Sequence, residues 1–237
     1  MSEPYRDDNL LDRLGGAATR QVHYDQEMRR ERELLARRLT LDAGDVLAVG
    51  CGWHPGRHLF PRPAFRMTGV DLDEAMIGSL RESGALDDGM VARAGELPYE
   101  SESFDVVLYR LVLHHAIYQG PLAPLFIEAE RLLRPGGALV AVEPGLWHPV
   151  GAGLELANRF GLGPAVHGTP DDIPISPRDL VSHARLAGLE PELHAVTFGW
   201  RRLPAAAQRL LHALDPAGSR PRLAPFGHTL MLIARKP

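Results

Sequence analysis

Asp45-Val-Leu-Ala-Val-Gly-Cys-Gly-Trp-His-Pro-Gly56 is the stretch whose reading decides the fold. Val46 to Val49 form a short apolar run closed by glycines, the pattern of a buried strand entering a tight turn. Gly50 and Gly52 let the backbone turn sharply and approach a ligand with no side chain in between. At the carboxyl end of a first parallel strand, such a turn is the place of a nucleotide-type cofactor loop. A second strand, Arg66-Met-Thr-Gly-Val-Asp71, ends in an acid 21 positions after Gly50. In a doubly wound sheet a carboxylate there accepts both hydroxyls of a ribose.

Four further pieces follow in order. They are Gly69-Val-Asp-Leu-Asp-Glu-Ala-Met76, Gly95-Glu-Leu-Pro-Tyr99, Ser103-Phe-Asp-Val-Val-Leu-Tyr109 with Val112-Leu-His-His115, and Arg131-Leu-Leu-Arg-Pro-Gly-Gly137. With Val46 to Gly52 they resemble the class I S-adenosylmethionine-dependent methyltransferases of the small-molecule branch, over roughly residues 40 to 145. A nicotinamide-type fingerprint would need glycine at 55, where Pro55 stands. The resemblance implies an α/β fold: a Rossmann-like, doubly wound, seven-stranded and mostly parallel sheet with an antiparallel last strand and helices on both faces. It also implies methyl transfer from S-adenosylmethionine to an oxygen or nitrogen of a small-molecule acceptor.

The same resemblance assigns residues. Gly50, Cys51 and Gly52 face the cofactor, Asp71 takes the ribose, and Leu72 packs beside the adenine. Gly95, Glu96 and Leu97 line the adenine pocket. Arg110 ends the fourth strand on the cofactor side, where a buried arginine needs an anion; the methionyl carboxylate and Glu143 are both candidates. His115 falls at a recurrent cofactor-side position. It either shapes the pocket or acts as general base, since a neutral imidazole is poised for that near pH 7. His148, in the segment that builds the acceptor pocket in similar enzymes, is the second acid/base candidate. An activated sulfonium donor needs mainly alignment of nucleophile and methyl, so Cys51 is read as a small packing residue.

Three positions depart from the family pattern. His54 stands where a third glycine is usual, Ala48 where Asp or Glu sits near the methionyl end, and Arg93 where an acid accepts from the adenine amino group. An arginine cannot accept a hydrogen bond. These departures leave an alternative open: a weak or inactive methyltransferase-fold protein used for ligand binding or partner assembly.

The 237 residues are 45% hydrophobic and 24% charged, enough for a sizeable core. A net charge of −4 offers no overall basic field, so nucleic acid is not expected as a partner. One cysteine excludes an internal disulfide, and no apolar run suits a membrane span or signal, so a soluble cytoplasmic protein is expected. The chain divides into an N-terminal helical lid segment, 1–40, and a methyltransferase domain, 41–237. Residues 1–16 are polar and expected to be mobile. The helix expected over Ala18 to Leu39 has Met28, Leu35 and Leu39 on one face and Arg29, Arg30, Glu31, Arg32, Glu33, Arg37 and Arg38 on the other. That charged face reads as solvated or, if the helix covers the cleft, as part of a lid with Tyr24 reaching the cofactor.

Pro55, Pro61 and Pro63 force the first crossover helix to be short or distorted. His54 and His58 share a helical spacing, but no nearby Cys or carboxylate completes a ligand set, and no metal is expected. Further strands are expected near Met90 to Ala94, Phe104 to Leu113, Ala138 to Val142, Glu192 to Phe198 and His228 to Ala234, the last two as an antiparallel pair. Ser176-Pro-Arg-Asp179 reads as a capping box. Leu203, Ala207, Leu210, Leu211 and Leu214 recur at helical spacing in a region with seven basic residues against Asp215. This segment is a surface helix, a pocket wall for an anionic acceptor, or a homodimer face.

Overall fold

The computed structural model describes residues 17–162 and 173–237. The opening segment 1–16 and His167 of the acceptor segment lie outside the described residues. Seven strands form one sheet: β1 (Gly44–Val49), β2 (Phe65–Asp71), β3 (Asp88–Val91), β4 (Phe104–Arg110), β5 (Leu133–Pro144), β6 (Glu190–Thr197) and β7 (Thr229–Arg235). Their order is β3-β2-β1-β4-β5-β7-β6. β1 to β5 pair in parallel, while β7 runs antiparallel to both β5 and β6. Strand order reverses between β1 and β4, and in open α/β sheets ligands bind at such a switch point, outside the carboxyl ends of the strands.

Alternation along the strands divides the core into two layers. Val46, Ala48, Val106 and Leu108 face one side, with Leu34, Leu35 and Leu39 of α1 (Ala17–Arg38) and Met76, Ile77 and Leu80 of α2 (Glu74–Glu82). Leu47, Val49, Val107 and Tyr109 face the other side. There they meet Phe126, Ala129 and Leu132 of the helix Ala123–Leu132 and Leu180 and Ala184 of the helix Pro177–Leu186. In chain order the helices after α2 are α3 (Leu113–Gln119), α4 (Ala123–Leu132), α5 (Pro149–Arg159), α6 (Pro177–Leu186) and α7 (Ala205–His212).

The sheet and its antiparallel ending agree with the sequence reading, and four details differ. The segment between β1 and β2 contains no helix at all; its prolines remove amides and turns replace the helix. Arg57 holds that segment instead, donating to the carbonyls of Ala85 at 2.9 Å, Phe60 at 3.2 Å and Phe65 at 2.9 Å and to the Asp87 carboxylate. β5 begins at Leu133 rather than Ala138, because Arg134 to Gly137 are absorbed as a bulge opposite Phe104 and Val106 instead of breaking the strand. Ser176 occupies the cap of α6, but its hydroxyl makes no capping bond. α7 is a surface helix, one of the three readings, but its buried residue is polar: Leu210 is 70% exposed and Leu211 partly buried, while Gln208 is buried. Its amide side chain donates to the Leu203 carbonyl at 3.1 Å, so a polar residue takes the inner face.

Phe126 is fully buried between α4 and the sheet. Phe126→Ala is expected to cost about 3–5 kcal/mol through lost burial and a residual cavity. A thermal melt checks this, with a midpoint roughly 10 °C lower.

Candidate functional site

The glycine turn and the end of β2 lock together. Gly50 and Gly52 have φ of +59° and +49°. A Cβ on Gly50 would stand 2.2 Å from Val112 Cγ2, whereas one on Gly52 would meet nothing within 4 Å. The Gly52 amide donates to Asp71 Oδ2 at 3.0 Å, and the Leu72 and Asp73 amides donate to Asp71 Oδ1 at 2.7 and 3.4 Å. Asp73 caps α2 by accepting from the Met76 amide at 3.0 Å. Asp71, Leu72, Asp73, Glu74 and Ala75 border an open, shallow depression. Gly95 likewise faces open space, with nothing within 4 Å of a Cβ built on it. The residues present thus fit a nucleoside: an oriented, partly exposed carboxylate, and glycines with no side chain in the way.

Other expected contacts are placed differently. Leu97 is buried in the core, and its amide donates to Glu128 Oε1 at 2.8 Å. Arg131 binds the Leu97 and Tyr99 carbonyls at 3.1 and 2.9 Å. The loop's backbone is therefore held from α4, leaving Gly95 and Glu96 as its more accessible part. Cys51 is buried, and that burial, reinforced by the Asp71 charge, pushes its thiol up to about 12. Tyr24 and Leu72 are exposed.

Arg110 has an anion partner that neither candidate supplied. Glu31 of α1, fully buried, accepts from Arg110 Nε and a terminal nitrogen at 3.1 Å each. His58 Nε2 lies 2.7 Å from Glu31 Oε2. Burial alone would raise the Glu31 pKa; the His58 hydrogen bond and the Arg110 charge outweigh it and hold the carboxyl below its usual range. Arg30, also buried, donates to Glu33 at 2.7 Å and to the Asp215 carbonyl at 3.0 Å. The charged face of α1 is consequently not a solvated stripe where Arg30 and Glu31 lie. His58 belongs to this network, and exposed His54 does not join it, because no helix aligns the two. Ala48 and Arg110 border the same crevice, which is too narrow to admit a water.

Glu143 is committed elsewhere. It accepts from the amides of Val112 and Leu113 at 2.9 and 2.8 Å, and its Oε2 lies 2.7 Å from His114 Nδ1. A carboxylate at the start of α3 satisfies amides that have no intrahelical partner. It also fixes the rim on which His115 sits, partly buried, with its ring 4.0 Å from that of His114.

Near the carboxyl end of β5 the structure gathers residues that are far apart in sequence. His148 caps α5, with Nδ1 accepting from the Val150 amide at 3.2 Å, and its ring meets His228 edge-on at 5.2 Å. His23 stacks on His212 at 5.5 Å. Glu27 accepts from the Thr229 hydroxyl. Burial, then the Glu31 charge, pushes the Glu27 carboxyl up to about 7. Burial, then His212 and Arg201, lowers His23 to about 4. Burial also lowers His148 and His228. The one visible signal for these residues is the four-residue spacing of His23, Glu27, Glu31 and Leu35 along a single helix face.

A seven-stranded sheet with β7 antiparallel, a glycine turn after β1 and an acid at the end of β2 fits a class I methyltransferase, and the comparisons agree. A family described as a methyltransferase domain matches residues 47–141. The 27-O-demethylrifamycin SV methyltransferase of Amycolatopsis mediterranei is 34% identical over 201 residues, 78% of this chain and 71% of the relative. Among solved structures, a Thermotoga maritima S-adenosylmethionine-dependent methyltransferase, described as a possible histamine N-methyltransferase, aligns with TM-score 0.64 and 18% identity over 93% of this chain and 92% of its own. A geranyl diphosphate methyltransferase in complex with S-adenosylmethionine aligns with TM-score 0.60 and 18% identity over 99% and 93%. The chain belongs to the S-adenosylmethionine-dependent methyltransferase family and is an enzyme of that class. Among the described residues, no helix is long and apolar enough to cross a membrane.

Breaking a buried ion pair from one side strands a charge and costs about 3–5 kcal/mol. Glu31→Gln and Arg110→Met are each expected to destabilise by about that much, and the double variant by clearly less than the sum. Urea unfolding of the four proteins measures the coupling; strict additivity would mean that the pair carries none.

Proposed function

We propose that the protein transfers the methyl group of S-adenosylmethionine to an oxygen or nitrogen of a small-molecule acceptor. The observation that carries the cofactor half is the Gly52 amide bond to Asp71, 3.0 Å long, which orients a carboxylate beside an open depression. When bound, S-adenosylmethionine supplies a methyl activated by its sulfonium. Asp71 would accept the ribose hydroxyls, Leu72 and the Gly95–Glu96 backbone would flank the base, and Gly50, Cys51 and Gly52 would let the chain pass close. Leu97 supports this wall from the core. Glu31 is read as supplying to this region the carboxylate that Ala48 lacks, with Arg110 and His58 holding it. α1 then serves as the lid, and Tyr24, exposed on it, borders the entrance.

The acceptor half rests on the histidines. His115 stands on the rim that Glu143 fixes, and it is assigned the acceptor proton as methyl transfer proceeds. His148 is the weaker base. One nitrogen accepts from Val150, and the ring is hydrogen-bonded to the Phe198 backbone, so positioning the pocket wall suits it better. The similarity to a methyltransferase named for 27-O-demethylrifamycin SV favours oxygen and a small acceptor. A homodimer built on the exposed leucines of α7 is a separate proposal, checked by sedimentation.

Calorimetry with S-adenosylhomocysteine tests the cofactor half. Asp71→Ala is expected to weaken binding about tenfold to a hundredfold, from the loss of a charged hydrogen-bond partner; equal affinity would remove Asp71 from the site. With an acceptor found by screening hydroxyl and amine compounds, His115→Ala is expected to lower kcat about a hundredfold with cofactor affinity kept. Unchanged kcat would reduce His115 to shaping the pocket.

A further inference from the structure

His23, Glu27 and His228 each offer one ligand atom, and the three atoms all lie within 4.8 Å of one another. α1 presents His23 and Glu27 four residues apart, on one face. His228 comes from the opposite end of the chain, immediately before β7. Thr229, the next residue, pairs with Pro144 at the carboxyl end of β5, so the cluster sits at the same end of the sheet as Gly50 and Asp71. Glu27 is one helical turn, about 6 Å, from Glu31 and its bond to Arg110. Glu27 and His228 keep partial solvent access, whereas His23 is buried.

We propose that His23, Glu27 and His228 bind one divalent transition-metal ion whose remaining positions open toward the acceptor. Two imidazoles and one carboxylate with open positions make the donor set of a reactive metal centre, not of a closed structural one. The surrounding bonds suit it. Metal-bound histidines use their second ring nitrogen to fix orientation. Here His23 Nδ1 lies 3.3 Å from His212 Nε2 and His228 Nδ1 lies 3.3 Å from Thr229 Oγ1; with Nδ1 so engaged, Nε2 of each ring would be the nitrogen to take an ion. Thr229 also bonds Glu27, so one hydroxyl ties two of the three ligands together.

Charge narrows the choice of ion. Arg201 acts on all three residues and Arg110 on Glu27, both opposing a cation; Glu27 and Glu31 offset them. With no surplus of negative charge, affinity comes from imidazole nitrogen. That chemistry selects zinc, cobalt, nickel or iron(II) over magnesium or calcium, which prefer oxygen sets. Resting on the methyl-transfer reading, the ion would coordinate and orient an acceptor oxygen, which narrows the acceptor class to hydroxyl or phenol compounds.

The test is a Co²⁺ titration of tag-free protein followed by visible absorption, with Zn²⁺ competition and calorimetry. One ion per chain is expected. Glu27→Gln and His228→Ala should each weaken it at least tenfold, while His54→Ala, which changes an exposed histidine outside the cluster, leaves it unchanged. Circular dichroism checks the fold, and Glu27→Gln nearly preserves shape. Binding that is absent, superstoichiometric only, or indifferent to the cluster variants would overturn the proposal. S-adenosylhomocysteine calorimetry on the same samples separates the two readings. Cofactor binding without metal binding defeats only the metal site, and metal binding without cofactor binding defeats only the methyl-transfer reading.

Discussion

The Glu31–Arg110 ion pair joins the first helix to the last residue of the central strand, and much of the site follows from it. Both groups are almost wholly out of water, so each needs the other: an unpaired charge at that depth costs several kcal/mol. Arg110 cannot leave the end of β4, because its backbone is part of the ladder with β5. Glu31 must therefore come to it, and α1 lies along one face of the sheet with its N-terminal half reaching the carboxyl ends of the strands. His58 shares the same carboxylate and ties in the irregular segment after the glycine turn.

Two further consequences reach the chemistry. With α1 fixed at Glu31, the preceding turns carry Glu27 and His23 toward the start of β7. The same helix thus also supplies side chains near the carboxyl end of β5. The segment after β1 has no helix to stiffen it, and Arg57 takes over by binding the carbonyls of Phe65 at the start of β2 and Ala85 ahead of β3. The glycine turn keeps its shape through Asp71, so the cofactor loop does not depend on the missing helix.

The local parts of this arrangement were legible in the sequence. Val46 to Gly52, Asp71, Asp73 and the alternating strands announce themselves through short-range pattern, and the structure keeps them where they were read. Charge partnerships over long separations were not legible. Arg110 pairs with Glu31 across 79 positions, and Glu143 turned out to serve the amides of α3 rather than Arg110. Nor could the histidine cluster be read, since His23 and His228 meet only after the whole sheet has formed. Periodicity reports which residues share a face, but not which face meets the protein, and in α7 Gln208 is buried while Leu210 faces out.

Hydrogen exchange of the α1 amides, compared between the unaltered protein and Arg110→Met, tests most directly whether this pair docks the helix. Residues 20–31 are expected to lose protection by at least tenfold while β1, β4 and β5 retain theirs. Unchanged protection across α1 would show that Leu34, Leu35 and Leu39 hold the helix unaided, and would contradict a docking role for the buried charges.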